Sequence, residues 1–182
     1  KIVVIAAGVN QNKNETRLDL VKKNSKIIKD ITLNIIKSRF NGIFLVASNP
    51  VDIITYLVKK YSKFPAGKVI GSGTMLDTSR LAYLISNKLE INIRDVSAYI
   101  LGEHGDSSFA VWSSAKVGSV LIREILPQEE LDKLLDKAKY MAYKIIELKN
   151  ETSYGIGMCL VNITNAILNN ENKVLVVSSP YD

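Results

Sequence analysis

Residues 2–8 read IVVIAAG, an uninterrupted apolar run that ends at a glycine. A strand buried on both faces of a parallel sheet shows such a continuous run, whereas a half-exposed strand alternates apolar and polar residues. The run is much shorter than the roughly 18 apolar residues that a membrane-spanning helix needs. It also lacks the small-residue cleavage pattern of a signal peptide. It therefore predicts a buried strand of a parallel sheet.

Two further strands and two helices follow in alternation. The run IFLVA at 43–47 predicts a second buried strand, which SNP ends, and KVIGSG at 68–73 predicts a third. Isoleucines that recur at helical spacing predict a helix from about Arg17 to Arg39, and residues 51–62 predict a second helix. The order strand, helix, strand, helix, strand is typical of a doubly wound α/β sheet.

The second half of the sequence has a different pattern, and the change falls near residues 70–72. Both ends of the sequence fall in or beside predicted buried strands, which would expose backbone groups if unpaired. We therefore expect a fragment of a longer protein. The elements predicted in this half are a helix over 75–89, a strand over 95–101, a partner strand within 109–117 across a hairpin, a helix from Pro127 to about Lys149, a helix over roughly 155–169 and a strand over 173–179.

The composition is typical of a soluble globular protein, with 47% hydrophobic and 23% charged residues. The formal net charge is +6, but no stripe of Arg and Lys with interleaved aromatic residues indicates a nucleic-acid interface. The single cysteine, Cys159, allows no disulfide within the chain. A reducing, cytoplasmic setting is therefore expected.

Four short motifs place polar residues where a strand ends or a helix begins: NETR at 14–17, SNPVD at 48–52, DTSR at 77–80 and GEHGD at 102–106. Binding sites of open α/β sheets lie at the carboxyl ends of their strands. Each motif also has an ordinary structural explanation when taken alone. These explanations are a solvent-exposed helix start for Arg17, a plain turn at Asn49, a surface ion pair between Asp77 and Arg80, and a turn histidine without a role at His104.

His104 is the only histidine in the chain and follows Asp77 by 27 residues. Imidazole titrates near neutral pH, which suits proton transfer. In their order along the chain, the four motifs resemble those of the L-lactate dehydrogenase family, within the lactate/malate dehydrogenase superfamily. The resemblance extends from AAG at 6–8 to TSYGIGM at 152–158. Its most specific parts are DTSR, and GEHGDSS followed by VWS.

The resemblance implies an α/β fold with two domains. Residues 1–71 would form the C-terminal part of an NAD-binding domain, which is the second half of a Rossmann-type parallel sheet. Residues 72–182 would form a truncated α+β catalytic domain that binds the substrate. The dinucleotide fingerprint G-x-G-x-x-G does not occur in the sequence. In the family it precedes the first residue of this chain, so the adenosine half of the NAD site would lie outside these residues.

The implied activity is the interconversion of L-lactate and pyruvate by hydride transfer with NAD, in glycolysis and pyruvate fermentation. His104 would exchange the proton at the substrate oxygen, and Asp77 would orient the ring and stabilise its charged form. Arg80 would bind the substrate carboxylate through a two-pronged pair, and Arg17, on a closing loop, would polarise the reacting carbonyl. The predicted catalytic residues are His104, Asp77 and Arg17, and the predicted substrate-binding residues are Gln11, Arg17, Asn49, Arg80 and Thr152.

Gln11 is the position that indicates which oxo acid is bound. Malate dehydrogenases of the superfamily carry an arginine there, which pairs with the second carboxylate of the substrate. Against a glutamine that carboxylate would be buried without a partner, at a considerable cost in free energy. Gln11 therefore favours the methyl group of pyruvate or lactate.

The resemblance implies NAD as the cofactor, no metal ion, a small-molecule substrate and a homotetramer when intact, with neither nucleic acid nor a membrane as partner. Relatives that respond to fructose 1,6-bisphosphate carry an arginine and a histidine where this chain has Ala82 and Ser97. No such effector site is therefore expected. The residues predicted to hold the nicotinamide side of NAD are Gly8, Val9, Ala47, Ser48, Asn49, Ser72 and Ile156.

Three alternatives stay open from the sequence. The first is another 2-hydroxy-acid dehydrogenase, with a bulkier neutral side-chain pocket. The second is an inactive fragment that keeps only oligomer contacts. The third is a nucleic-acid-binding protein, which the net charge alone suggests.

Overall fold

The chain divides into two compact units in a computed structural model, which describes residues 1–9 and 17–180 except for the side chains of 17–20. The first unit contains Lys1–Gly73, Asn162–Glu171 and Val177–Asp182. The second unit contains Thr74–Val161 and Asn172–Val176.

The first unit is built on a three-stranded parallel sheet in the order β1-β2-β3. The prediction of a parallel sheet from these three apolar runs is confirmed, although each strand is shorter than its run. The predicted burial on both faces is wrong for β1, an edge strand of the described sheet, in which only Ile5 is buried and Val4 is 45% exposed. Because the strands are parallel, their carboxyl ends lie at the same edge of the sheet. The strands are β1 (Ile2–Ile5), β2 (Ile43–Val46) and β3 (Val69–Gly71).

Two helices pack with this sheet, α1 (Arg17–Lys37) and α2 (Val51–Ser62). Helix α1 packs on α2, and α2 packs on β2 and β3. The predicted helix end at Arg39 is two residues late, and Arg39 has a φ of 59°, a left-handed conformation that ends a helix. The core of this unit consists of Ile5, Ile28, Phe44, Val46, Val51, Ile54, Val58 and Val69.

The second unit is built around two helices that pack on each other, α3 (Met75–Leu89) and α5 (Gln128–Lys149). Five two-residue strands and a short helix, α4 (Ile122–Ile125), lie between them in sequence. Its core contains Leu81, Ile85, Ala98, Ile100, Trp112, Ala115, Ile122, Leu131, Leu134 and Ala138. The strands are β4 (Val96–Ser97), β5 (Ile100–Leu101), β6 (Phe109–Ala110), β7 (Lys116–Val117) and β8 (Val120–Leu121).

The single strand predicted over 95–101 is in fact two strands with different partners. Strand β4 pairs with β7, whereas β5 pairs with β6. The predicted hairpin is confirmed for β5 and β6, which are antiparallel. The partner strand predicted within 109–117 is divided in the same way, because its two ends pair with different segments.

The last predicted strand, over 173–179, is wrong. The final helix, α6, spans Tyr154–Leu168, and the strand pairing of the described residues after it is an isolated bridge between Ser178 and Gly71. Val174 is 86% exposed. An apolar run becomes a strand only where another strand pairs with it along several residues, and here a single residue finds such a partner.

Candidate active site

Helix α3 carries an aspartate and an arginine that are both buried. Asp77 lies in its first turn and Arg80 one turn later, and each residue is only 7% exposed. Arg80 Nη1 donates to Asp77 Oδ1 at 3.4 Å. The alternative of a surface ion pair is therefore wrong, because both partners have lost most of their contact with water.

Burial changes the acid–base behaviour of the arginine. Desolvation lowers the pKa of Arg80, and the nearby Asp77 carboxylate acts in the opposite direction. A guanidinium remains charged at neutral pH, so the second unit holds a buried cation beside a buried anion. Such a cation can bind a carboxylate strongly, because little water competes for its N–H groups.

His104 is brought to the same carboxylate from the turn that joins β5 to β6. Its Nδ1 lies 2.6 Å from Asp77 Oδ2, and its side chain is 27% exposed. An ionised carboxylate only accepts hydrogen bonds, so Nδ1 carries the proton in this contact. Asp77 thus contacts both His104 and Arg80, one through each oxygen, and the structure brings these three predicted residues together.

The turn that carries His104 is held by several local contacts. Gly102 has a φ of +93°, a conformation that L side chains rarely adopt. The Ser107 hydroxyl donates to Glu103 at 3.0 Å, and Lys139 of α5 donates to the Asp106 carbonyl oxygen at 2.9 Å. These contacts limit the freedom of the histidine-bearing loop.

In the first unit, predicted cofactor-binding residues lie where β1 and β2 end. Gly8 and Val9 follow β1, and Ala47, Ser48 and Asn49 follow β2. The Ser48 hydroxyl donates to the Ala7 carbonyl oxygen at 2.6 Å, which ties the two strand ends together. Val9 and Asn49 are exposed, so both can contact a ligand at this edge.

Asn24 of α1 links the same two strand ends, a role that the sequence motifs did not predict. Its side chain accepts from the Val9 N–H at 2.8 Å and donates to the Asn49 carbonyl oxygen at 3.1 Å. It is 2% exposed. The available signal was its position four residues before Ile28 on the apolar stripe of the helix, where a polar residue needs a buried partner.

The remaining predicted residues are placed as follows. Ser72 is buried and its N–H donates to the Val46 carbonyl oxygen at 2.8 Å. Thr152 precedes α6 and Ile156 lies in its first turn, both half-buried. Arg17 is the first residue of α1, with a side chain outside the described part of the chain, and Gln11 lies outside the described residues altogether.

The described residues offer neither a metal site nor a membrane-spanning helix. No group of His, Cys, Asp and Glu side chains among them could hold a metal ion. No helix in residues 1–9 and 17–180 is long and apolar enough to cross a membrane.

Two profiles of one protein family match this chain, one in each half. The family profile described as lactate/malate dehydrogenase, NAD binding domain, matches residues 1–71. The profile described as lactate/malate dehydrogenase, alpha/beta C-terminal domain, matches residues 74–182.

Individual relatives have identical residues at about half of the aligned positions. The L-lactate dehydrogenase of Bacillus pumilus (strain SAFR-032) is 52% identical over 187 residues, covering 100% of this chain and 59% of the relative. That of Borrelia hermsii (strain HS1 / DAH) is 49% identical, covering 98% and 58%. The crystal structure of the minor L-lactate dehydrogenase from Enterococcus mundtii, in its ligands-bound form, has a TM-score of 0.96 and 49% identity, covering 100% and 60%. The chain thus spans about three fifths of the length of these relatives.

Proposed function

This chain belongs to the lactate/malate dehydrogenase family, and on that premise we propose that the protein carrying it interconverts L-lactate and pyruvate with NAD. The observation that supports the proposal most directly is the contact of 2.6 Å between His104 Nδ1 and Asp77 Oδ2. A histidine fixed by a carboxylate is suited to exchange a proton at a developing alkoxide. The relatives named L-lactate dehydrogenase support the same reaction.

We propose that His104 is the proton donor for pyruvate reduction. Negative charge develops on the C2 oxygen of pyruvate as the carbonyl is reduced, and the protonated ring delivers its proton there from Nε2. Asp77 keeps Nδ1 protonated and the ring oriented, and it stabilises the imidazolium that must be present before transfer. In lactate oxidation the same ring accepts the proton.

Arg80 is the residue we assign to the substrate carboxylate. Its guanidinium is buried and desolvated, which strengthens a hydrogen-bonded pair with an anion. The planar fork can bind both carboxylate oxygens, which the point charge of a lysine cannot do. By resemblance, Arg17 polarises the reacting carbonyl, and Asn49 and Thr152 complete the binding of the substrate.

The first unit supports NAD as the cofactor. Open α/β sheets bind dinucleotides at the carboxyl ends of their strands, where Gly8, Val9 and Asn49 lie. A Cβ at Gly8 would lie 3.1 Å from Asn24 Oδ1, so a larger residue would disturb the contacts that hold this edge. When bound, NADH supplies the hydride that adds to C2 of pyruvate. We propose a role in binding NAD for Ala47, Ser48 and Ser72 as well, and the family resemblance assigns the same role to Ile156.

The substrate preference and the domain division are parts of the same proposal. Gln11 favours a neutral substrate side chain, so pyruvate is preferred over oxaloacetate. Residues 1–71 belong to the NAD-binding domain and residues 72–182 to the catalytic domain.

The oligomeric state and the location in the cell are further parts of the proposal. We propose a homotetramer, which sedimentation velocity tests. The free, buried thiol of Cys159 is compatible with the cytoplasmic location that we propose.

The proposal is tested by steady-state kinetics on the full-length protein that carries this chain. NADH oxidation is followed with pyruvate, oxaloacetate and a branched 2-oxo acid. We expect the highest kcat/KM with pyruvate. A higher value with the branched acid would assign the protein to a different 2-hydroxy acid, and no turnover with any of the three would contradict the proposed reaction.

A further inference from the structure

Two threonines of α3 bind the backbone of one residue of β5. Thr74 Oγ1 donates to the Ile100 carbonyl oxygen at 2.5 Å, and Thr78 Oγ1 accepts from the Ile100 N–H at 2.9 Å. Thr78 Oγ1 also lies 3.4 Å from the Ile100 carbonyl oxygen. We call the hydroxyls of Thr74 and Thr78 the threonine clamp.

On the side of β5 that faces away from β6, the clamp binds backbone groups that a neighbouring strand would otherwise bind. The Val111 N–H donates to the Tyr99 carbonyl oxygen at 2.9 Å, and Ile100 lies opposite Ala110 in the same antiparallel register. Successive residues of such a strand direct their N–H and C=O groups alternately toward the partner and away from it. The polar groups of Ile100 therefore point away from β6. The residue is buried, so both groups need the partners that the clamp supplies.

The clamp and the proposed catalytic pair connect the same two elements, helix α3 and the β5–β6 hairpin. Thr78 is adjacent to Asp77 on α3, and His104 follows Ile100 by four residues. His104 Nδ1 and Asp77 Oδ2, at 2.6 Å, form the second contact between these two elements. A slide of β5 along α3 would carry the histidine with it. A shift of about 1 Å would break so short a contact and can cost about a hundredfold in rate.

We propose that Thr74 and Thr78 are positioning residues, which set the distance between Asp77 and His104 by binding the backbone of Ile100. The kinetic consequence rests on the function proposed above, whereas the geometry does not. Neither threonine is proposed to touch the substrate. The hydroxyl is the group that matters, so serine at position 78 preserves the clamp and valine, which has the shape of threonine, removes half of it.

The test compares Thr78→Val, Thr78→Ser and Thr32→Val. Thr32 is the matched control, because it is buried and its hydroxyl has no hydrogen-bond partner among the described residues. The first measurement is the low-field NMR signal of the His104 Nδ1 proton in the full-length protein that carries this chain, assigned by its absence in His104→Gln. We expect the signal in the wild type, in Thr78→Ser and in Thr32→Val, and its loss in Thr78→Val.

The second measurement is pyruvate reduction by the full-length protein that carries this chain. We expect Thr78→Val to lower kcat about tenfold or more with little change in the KM for NADH, and Thr78→Ser to restore the rate. A rate and a signal that survive in Thr78→Val would overturn the proposal. So would a Thr78→Ser protein that behaves like the valine variant, since packing of the methyl group would then explain the effect.

The experiment also covers a Thr78→Val variant that does not fold and a wild-type protein that does not reduce pyruvate. If Thr78→Val does not fold, Thr74→Val takes its place, because it leaves the Ile100 N–H bound to Thr78; an unchanged signal there overturns the proposal. If the wild type does not reduce pyruvate, the proposed function fails, while the NMR comparison still decides whether the clamp positions His104.

Discussion

At the scale of single residues, burial determines what the Asp77 and Arg80 side chains can do. A charged pair at the surface contributes little, because water and salt screen it. Asp77 and Arg80 are both buried, and removing one partner of such a pair leaves an uncompensated charge in a medium of low dielectric constant. Changes at either position are therefore expected to affect the proposed chemistry directly.

The first prediction concerns the carboxylate that His104 contacts. We expect Asp77→Asn to lower kcat for pyruvate reduction by about 10² to 10⁴, because the amide removes the charge that stabilises the imidazolium and orients the ring. Steady-state rates measured with saturating NADH check this loss. Exposed Asp30→Asn is the control, and an Asp77→Asn enzyme as active as this control would remove Asp77 from the mechanism.

The second prediction concerns the buried guanidinium. Arg80→Lys should raise the KM for pyruvate about tenfold or more and leave the affinity for NADH nearly unchanged, because a point charge replaces a planar fork. Substrate saturation curves and NADH titration measure the two quantities. Arg94→Lys, at an exposed position, supplies the control. An unchanged KM for pyruvate would mean that Arg80 serves only as the partner of Asp77.

The third prediction concerns the proposed specificity residue. Gln11→Arg should shift the ratio of kcat/KM from pyruvate toward oxaloacetate by about two orders of magnitude. The new guanidinium would pair with the second carboxylate of oxaloacetate and would be left unpaired beside the methyl group of pyruvate. Kinetics with both acids measure the ratio, with Gln128→Arg as the surface control. A ratio within about threefold of the wild type would show that Gln11 does not face the substrate.

At the scale of secondary-structure elements, α3 and the β5–β6 hairpin together hold the proposed proton donor. Helix α3 supplies Asp77 from its first turn, while the hairpin presents His104 from its loop. The loop is attached at one end by the threonine clamp and contacts α5 through Lys139. The distance of 2.6 Å between ring and carboxylate thus depends on three elements that are far apart in the sequence.

The fourth prediction tests the conformation of that loop. Gly102→Ala should lower both the melting temperature and kcat, because an alanine is strained at a φ of +93° and the relieved strain would displace His104. Gly118→Ala is the control, since Gly118 has a φ of +57° and a Cβ there meets no atom within 4 Å. We expect the control to lose stability but not rate. Equal loss of rate in both variants would mean that the effect is general destabilisation.

At the scale of the whole molecule, each unit has its own apolar core. One is centred on β2 with Phe44, and the other lies between α3 and α5 with Ile85 and Leu131. The single thiol of the chain, Cys159, is buried at 4% exposure in the second unit. Burial raises its pKa, and a hydrogen bond with Ser79 and the positive charge of Arg80 oppose that rise in part. The thiol therefore reports on the integrity of the fold.

The fifth prediction follows from the sign of that change. A group whose pKa is raised by folding stabilises the folded state below its unfolded pKa, and the contribution is lost as the pH rises through the folded value. The thiol of an unfolded chain ionises near pH 8.5, at about its reference value. From there upward, the free energy of unfolding should fall more steeply in the wild type than in Cys159→Ala. Urea titrations at several pH values measure both slopes, and parallel curves would contradict the prediction.

Much of the fold and of the site could be predicted because their signals are local. The continuous apolar runs before Gly8 and Ser48 predict strands of a parallel sheet, and the predicted burial holds for most of β2 but not for β1. The helical spacing of isoleucines predicts α1 without knowledge of its neighbours. The motifs DTSR and GEHGD identified Asp77, Arg80 and His104 as candidates, and the family resemblance implied that they act together.

The sequence by itself determined the fold class, the parallel sheet and the identity of the candidate catalytic residues. Only the tertiary structure decided how far each strand extends, that residues 173–179 form a bridge rather than a strand, and that Asn24 and the threonine clamp hold their loops. The physical reason is that these features are contacts between separate segments, and the hydrogen bonds of Asn24 and of the threonine clamp join groups 15 or more residues apart. A donor shows in the sequence only that it needs an acceptor, and the packing of distant segments decides which acceptor it meets.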